Sequence, residues 1–232
     1  MSRTNDLIMR NKLLLIASLC MLLCSCDADL FDDTPLSVSP TSISLYVDGT
    51  RQLTVNKTRN ITYTPTDYWY VDVSSNGLVT AKKKGNTRIK VSDGTRAVYV
   101  DVEIKSTYEL YPEMDLYIGK IFDSFNGIFG DYDEITSSEH YVTYWYDHRS
   151  KYDISFGFIF NKDDALGTIQ AVSVYIPVTY ENQLETYLWD RYLSKDTLND
   201  VYYFYNHSRN VALKLEYYSD QRMYNILYYP LE

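Results

Sequence analysis

Histidines and clustered carboxylates are the residues of this chain best suited to metal binding or catalysis. The three histidines are His140, His148 and His207, and the last two follow Asp147 and Asn206 at the ends of aromatic runs. Asx and His residues accept unusual backbone angles, so turns explain these positions better than a metal site does. A zinc site needs further ligands at recognisable spacing, and none accompanies this pair. The sequence therefore predicts no bound metal.

Other patterns of catalytic residues are equally weak. Asp131, Asp133 and Glu134 suit calcium, but they lack the glycine and the twelfth-position glutamate of an EF-hand loop. The chain has no Walker loop, dinucleotide fingerprint or Gly-x-Ser-x-Gly elbow. No carboxylate pair stands out as a glycosidase acid and nucleophile. We therefore predict a non-enzymatic protein with no catalytic residues and no cofactor.

Cysteine is confined to the start of the chain. All three cysteines lie at or before residue 26, so the remainder has no disulfide, thiol nucleophile or cysteine metal site. They accompany an apolar run, residues 13–23, that follows a basic start. That run is much shorter than the roughly 20 residues needed to span a bilayer. A short apolar run behind a positive segment is typical of a signal peptide.

Leu23-Cys24-Ser25-Cys26 resembles the cleavage site of a bacterial lipoprotein signal peptide, where a small residue precedes the modified cysteine. Ser25 is that residue, whereas the two earlier cysteines each follow a leucine. The resemblance implies that residues 1–25 are removed and that Cys26 carries the lipid, a diacylglyceryl group on sulfur with palmitate-like chains. Acyl chains on this one residue would anchor the protein, since each buried methylene contributes about 0.8 kcal/mol.

Residues 26–35 are predicted to be a solvated tether, because four aspartates follow Cys26 within this short stretch. In Bacteroidetes lipoproteins an acidic cluster at this position directs the protein to the outer face of the outer membrane, and this stretch resembles that signal. A plain spacer is the alternative. We expect a lipid-anchored outer-membrane protein exposed at the cell surface.

Charge is unevenly distributed and argues against nucleic-acid partners. The whole chain has a formal net charge of −9. Residues 108–232 carry 9 Lys/Arg against 20 Asp/Glu, whereas residues 36–107 carry 10 against 6. A net negative chain repels phosphate backbones. The contrast also favours two domains with different surfaces.

Residues 36–107 have the pattern of short strands joined by tight turns. Apolar residues alternate around the turn dipeptides Asp48-Gly49, Asn76-Gly77 and Asp93-Gly94. Strands at this spacing predict an all-β sandwich or barrel. The segment resembles the group 2 bacterial immunoglobulin-like (Big2) domain. The matching residues are Val38-x-Pro40, Leu45, Gly49-Thr50, Leu53, Trp69, Ser75-Asn76-Gly77-x-Val79-Thr80-Ala81, Gly85 and Ile89-x-Val91. The resemblance implies a non-catalytic module of surface proteins, which we expect to act as a spacer.

The apolar pattern of residues 108–232 predicts an α+β domain. Apolar spacing indicates a helix over 113–129, and strands are expected at 141–146, 154–160 and 168–176. A second helix is expected after Thr179, followed by strands at 201–205, 211–218 and 223–229. The domain is therefore predicted to be two helix-strand-strand-strand repeats, with an antiparallel sheet of about six strands and both helices on one face. Tyr144–His148 parallels Tyr203–His207 in the proposed repeat.

Tyrosine dominates this domain, which holds 20 of the chain's 25. Successive strand residues point to opposite faces, so adjacent tyrosines must place one ring on each face. One face should pack on the helices, and the other would present rings to a partner. We take Tyr144, Trp145, Tyr203 and Tyr205 as candidate ligand-binding residues. The alternative is a half-buried sheet face that binds nothing.

Two functions fit these features. In the first, the protein is a lipid-anchored binding or adhesion protein of the cell envelope. Its Ig-like domain would then present an aromatic sheet to a protein or glycan ligand. In the second, it is an inhibitor-like or envelope-assembly protein whose acidic domain docks on a basic site of its partner, so that salt weakens the complex.

Overall fold

Strands make up most of the regular structure of this protein. The structure is a computed structural model that describes residues 34–125, 128–149, 151–198 and 201–231. Of the described residues, 51% are in strands and 9% are in helices. Cys26 and the signal segment lie outside the described residues. Residues 37–232 group into one unit, which contains two buried apolar clusters, one within residues 38–104 and one within 110–228.

The first half is all-β, as the sequence predicts. A four-stranded sheet has the order β2-β9-β8-β5, a three-stranded sheet the order β3-β7-β6, and β1 pairs with β4. Strand β2 runs parallel to β9, and the other pairs are antiparallel. The strands are β1 (Val38–Ser39), β2 (Ser42–Tyr46), β3 (Thr50–Gln52), β4 (Thr54–Val55), β5 (Thr62–Pro65), β6 (Val71–Val73), β7 (Leu78–Ala81), β8 (Gly85–Ser92) and β9 (Ala97–Lys105).

Alternating apolar residues from both sheets pack into one core. Val71 and Val79 come from the three-stranded sheet, and Ile89 and Val100 come from the four-stranded sheet; all four are fully buried. The Asn76-Gly77 turn forms as predicted, with Gly77 at a φ of +82°, a region that glycine enters without a Cβ penalty. The result is a small sandwich of two packed sheets.

The second half is built on one eight-stranded antiparallel sheet. Its order is β10-β11-β12-β13-β17-β16-β15-β14, so two four-stranded meanders meet where β13 pairs with β17. The strands are β10 (Glu134–Ser137), β11 (Tyr141–Arg149), β12 (Ile154–Asn161), β13 (Ile169–Pro177), β14 (Leu193–Leu198), β15 (Val201–Tyr205), β16 (Val211–Tyr218) and β17 (Met223–Pro230).

The predicted α+β domain of two helix-strand-strand-strand repeats is wrong. In place of the helix over 113–129, the described residues form two 3₁₀ turns, Met114–Leu116 and Phe122–Phe125. Gly119 lies between them at a φ of +76°, and its N–H donates to Ile169 O at 2.9 Å. The backbone there bonds to the start of β13 instead of to itself, so an α-helix cannot continue. The sheet also gains β10 and β14, two polar outer strands that the apolar pattern did not reveal.

The second predicted helix does form, as α1 (Glu181–Trp189), and among the described residues it is the one α-helix. Its buried residues Leu184, Tyr187 and Leu188 pack on the sheet together with residues 108–122. We name the side of the sheet beneath them the covered face. No helix within the described ranges has both the length and the apolar character needed to cross a membrane.

Candidate ligand-binding face

The opposite side of the eight-stranded sheet, which we name the open face, carries the candidate site. Every strand residue of this sheet in the buried cluster has its side chain on the covered face, such as Phe156, Val174 and Ile226. Their strand neighbours therefore point to the open face. Among the described residues, the open face includes Trp145, Thr136, Tyr175, Ser173, Asn225, Tyr218, Lys214, Glu216, Tyr203, Tyr205 and Tyr229.

Three aromatic rings form a row across the open face. The ring centroids of Trp145 and Tyr175 are 5.7 Å apart, and those of Tyr175 and Tyr218 are 6.4 Å apart. Trp145 and Tyr175 are half-buried, whereas Tyr218 is 41% exposed. We name these three residues the aromatic row. The row offers ring faces and polar tips together, a combination suited to contact with proteins or sugars.

Gly157 on β12 holds the indole of Trp145 against the sheet. A Cβ at Gly157 would lie 2.7 Å from Trp145 Cε3 and 2.7 Å from Thr143 Cγ2. The indole therefore occupies space that any other residue would fill. Its Nε1 also donates a hydrogen bond to Thr136 Oγ1 at 2.8 Å. One end of the aromatic row is thus fixed in position before any ligand arrives.

A second group on the open face joins tyrosines to a lysine. Tyr205 and Tyr229 flank Ala212, which is fully buried beneath them. Burial raises the pKa of Tyr229, and the neighbouring Tyr205 and Tyr203 raise it further. Lys214 Nζ lies 2.8 Å from Glu216 Oε1, and this hydrogen bond raises the lysine pKa. This group has a paired charge, unlike the aromatic row.

The four sequence-predicted residues do not form one site. Tyr144 lies on the covered face, where its ring stacks on Phe122 with centroids 5.2 Å apart. Trp145, Tyr203 and Tyr205 lie on the open face, but five strand spacings, roughly 24 Å, separate β11 from β15. Sequence reasoning missed Tyr175 and Tyr218. The adjacent pair Tyr217-Tyr218 indicates that one of the two rings lies on each face of the strand. The sequence does not give the pairing register that brings Tyr218 close to Tyr175.

The histidines and acidic residues are scattered over the structure. His148 bonds Asp153 and has a φ of +52°, at the irregularity of strand β11 between Tyr146 and Arg149. His207 lies 3.2 Å from Asp67, against the ring of Trp69. Within the part of the chain that the structure describes, no three His, Cys, Asp or Glu residues are arranged to hold a metal ion.

Arg191 fastens the two halves of the molecule together, a role that sequence reasoning missed. Its side chain is 3% exposed, with Nη2 2.6 Å from Glu109 and the guanidinium 3.9 Å from the Tyr187 ring centroid. Nη1 donates to Ser106 Oγ at 2.9 Å, which in turn donates to Asp190 Oδ2 at 2.6 Å. Buried charge of this kind is tolerated only when it is paired.

The turn Lys82-Lys83-Lys84 between β7 and β8, which we name the lysine turn, also contributes to this junction. Lys84 N donates to Asp190 O at 2.7 Å, and Lys84 Nζ lies 2.8 Å from Glu113. Lys83 Nζ donates to Trp189 O. The end of α1 is therefore held to both the lysine turn and the end of β9, which makes the first half a fixed support for the sheet.

The sandwich of residues 38–105 is the feature that comparison with known proteins recognises. Residues 33–102 match the model of the bacterial Ig-like domain, group 2. This Ig-like domain ends before the eight-stranded sheet begins. No curated protein matches the sequence.

Three solved structures show weak likeness to the chain. One is a cysteine-rich secretory protein of Staphylococcus aureus subsp. aureus Mu50, with 9% identity, TM-score 0.28 and coverage of 50% of this chain and 45% of that one. Domains 5–6 of the S-layer protein SbsC match with 14% identity, TM-score 0.27 and coverage of 84% and 83%. A longer SbsC structure matches with 14% identity and TM-score 0.27, over 78% of this chain and 22% of that chain. None of the three likenesses assigns an activity to this chain.

Proposed function

We propose that this chain is a lipid-anchored cell-envelope binding protein whose Ig-like domain presents the open face to a protein or glycan ligand. The observation that carries the proposal is the aromatic row, three neighbouring rings on a sheet face that the buried core leaves unused. Aromatic groups at a surface, here one exposed and two half-buried, often mark interaction sites on soluble domains. The Ig-like match favours a surface or adhesion-type role.

The junction supports the spacer role. Arg191 and Lys84 hold the Ig-like domain against the α1 side of the sheet. The aromatic row lies on the opposite side, so the spacer leaves it accessible. A fixed support lowers the entropy lost on binding, because the face does not need to be ordered when the ligand arrives.

Open-face binding is tested with adjacent tyrosines on β16. Tyr218→Ala removes one ring of the aromatic row, whereas Tyr217→Ala removes a similarly exposed ring from the covered face; Tyr218 is 41% and Tyr217 48% exposed. We expect Tyr218→Ala to lose binding on a glycan array or in capture of purified envelope proteins, and Tyr217→Ala to retain it. Equal binding by both variants would show that the open face is not the site.

The anchor is proposed from sequence alone and has its own test. Cys26→Ser should release the protein from the membrane fraction and remove the lipid mass from the mature N-terminus. Cys24→Ser is the matched control and should stay lipidated. Protease shaving of intact cells distinguishes an outward-facing protein on the outer membrane from an inward-facing one. An unmodified Cys26 in the mature chain would refute the anchor while leaving the open face untouched.

Docking on a basic partner is the second proposed function, favoured by the net charge of −11 on residues 108–232. Salt separates the two, because exposed charges are screened within about 8 Å at physiological ionic strength. A complex formed by the aromatic row should persist at high salt. A complex that weakens steeply with salt and is unaffected by Tyr218→Ala would favour the second function.

A further inference from the structure

A cleft lies on the covered face, away from the aromatic row. It has a volume of about 450 Å³ and lies between α1 and strands β14–β16. Leu184 and Leu188 of α1 and Phe204 of β15 form an apolar floor, and each is almost fully buried. Apolar clefts of this size with a few polar groups are the usual form of small-ligand sites.

The rim of the cleft combines carboxylates with aromatic rings. Glu181, Glu185 and Trp189 are spaced four residues apart on α1, so they follow one another along the same face. Tyr202 lies across the cleft on β15, and both it and Trp189 are 48% exposed. Two negative groups and two ring faces thus surround an apolar floor.

Among the side chains that the structure describes, the lining of the cleft contains no Lys, Arg or His to balance these carboxylates. Tyr224 donates its hydroxyl proton to Glu181 Oε1, which holds that carboxylate in place at the rim. The Trp189 ring already accepts one cation, since Lys83 Nζ lies 5.7 Å from its centroid. Cations are attracted both to carboxylates and to ring faces.

We propose that this cleft binds a small organic cation with an apolar body, of the arylalkylammonium class. The apolar body would lie on Leu184, Leu188 and Phe204, and the ammonium group would lie between the carboxylate of Glu185 and the ring of Tyr202. An anionic ligand would meet two like charges, and a neutral ligand would gain only the apolar contact. Selectivity for the cation follows from charge complementarity.

Titration calorimetry on the full chain tests the cleft with three probes that share one apolar body: 4-phenylbutylamine, 4-phenylbutanol and 4-phenylbutyrate. We expect saturable one-to-one binding of the amine. The alcohol should bind about fivefold more weakly, because a partly exposed cation contact contributes up to about 1 kcal/mol. The carboxylate should not bind. Equal affinity for amine and alcohol, or no saturable binding of the amine, would overturn the proposal.

Matched variants locate the binding. Glu185→Gln and Tyr202→Ala should each weaken amine binding about two- to fivefold, because each removes one partly exposed cation contact. Glu216→Gln and Tyr203→Ala change the same residue types on the open face and should leave the affinity unchanged. Amine binding that survives both cleft substitutions, in variants with unchanged thermal unfolding, would place the cation elsewhere. Neither outcome of these cleft experiments bears on the proposal that the open face binds a protein or glycan ligand.

Discussion

Both faces of the eight-stranded sheet are rich in tyrosine, but the tyrosines have different roles on the two faces. On the covered face, Tyr228 is fully buried and its hydroxyl lies 2.8 Å from that of Tyr111. Tyr187 of α1 completes this cluster, donating its hydroxyl proton to Tyr111 O at 3.0 Å. On the open face, Tyr218 is 41% exposed and its ring faces that of Tyr175. A high tyrosine content therefore does not by itself indicate a binding surface, because the face on which a tyrosine lies decides whether its ring is buried in the core or available to a ligand.

Burial sets the ionisation of the tyrosine cluster on the covered face. Desolvation raises the pKa of Tyr111, Tyr187 and Tyr228 well above the ordinary tyrosine value, so these hydroxyls remain neutral donors and acceptors. Their hydrogen bonds satisfy polar tips inside the core, which would otherwise lower stability. On the covered face, these three tyrosines are core residues with internal partners, whereas on the open face Tyr218 presents its ring outward.

The neighbours Tyr228 and Tyr229 give the sharpest test of this contrast. Tyr228→Ala should lower the free energy of unfolding by about 3–5 kcal/mol, the range for truncating a buried aromatic residue. Tyr229→Ala, one residue along β17 on the open face, should cost about 1 kcal/mol. Urea denaturation measures both. Similar losses for the two variants would mean that the open face is buried against something in solution, and the contrast would fail.

A substitution at Gly157 tests whether Trp145 and Thr143 pack against this position as closely as the structure shows. Gly157→Ala should cost about 1–3 kcal/mol, because its Cβ would overlap the indole and Thr143. It should also weaken open-face ligand binding by displacing Trp145. The double variant with Trp145→Ala should lose less stability than the sum of the two single variants, since it removes the overlap with the indole and leaves only that with Thr143. Strictly additive losses in urea denaturation would show that the indole does not rest on Gly157.

Local pattern was enough to predict part of this fold. Apolar alternation and the Asn76-Gly77 turn predicted the all-β first half, and the spacing of Leu184 and Leu188 predicted α1. The segment 113–129 has helical spacing too, but Gly119 adopts a positive φ and bonds to β13. That preference comes from a tertiary contact, which local spacing does not contain.

The site was harder to predict because register decides it. Aligning Tyr144 with Tyr203 as repeat equivalents places both on one face, yet the structure places Tyr144 on the covered face and Tyr203 on the open face. A shift of one residue moves every side chain to the other face, and residue types alone do not set the pairing. Arg191 follows the end of α1, and its partners Ser106 and Glu109 lie more than 80 residues earlier, so local spacing gives no sign of this contact.

The smallest expected effect concerns a carboxylate that belongs to the covered side. Burial raises the pKa of Asp115, while a hydrogen bond from the Tyr192 hydroxyl at 2.8 Å lowers it in part. The folded protein therefore holds this proton more tightly than the unfolded chain does. The resulting stability is fully present below the unfolded pKa of about 3.9 and is lost as the pH rises through the raised folded pKa.

Two substitutions should move this pH dependence in different ways. Asp115→Asn removes the titrating group, so the decline in stability that it causes above about pH 4 should disappear. Tyr192→Phe removes the hydrogen bond that favours the ionised form, so the decline should continue to higher pH. Urea denaturation at stepped pH values measures both. If Asp115→Asn leaves the profile unchanged, this carboxylate is solvated in the folded protein, and the covered side is wetter at Asp115 than its packing indicates.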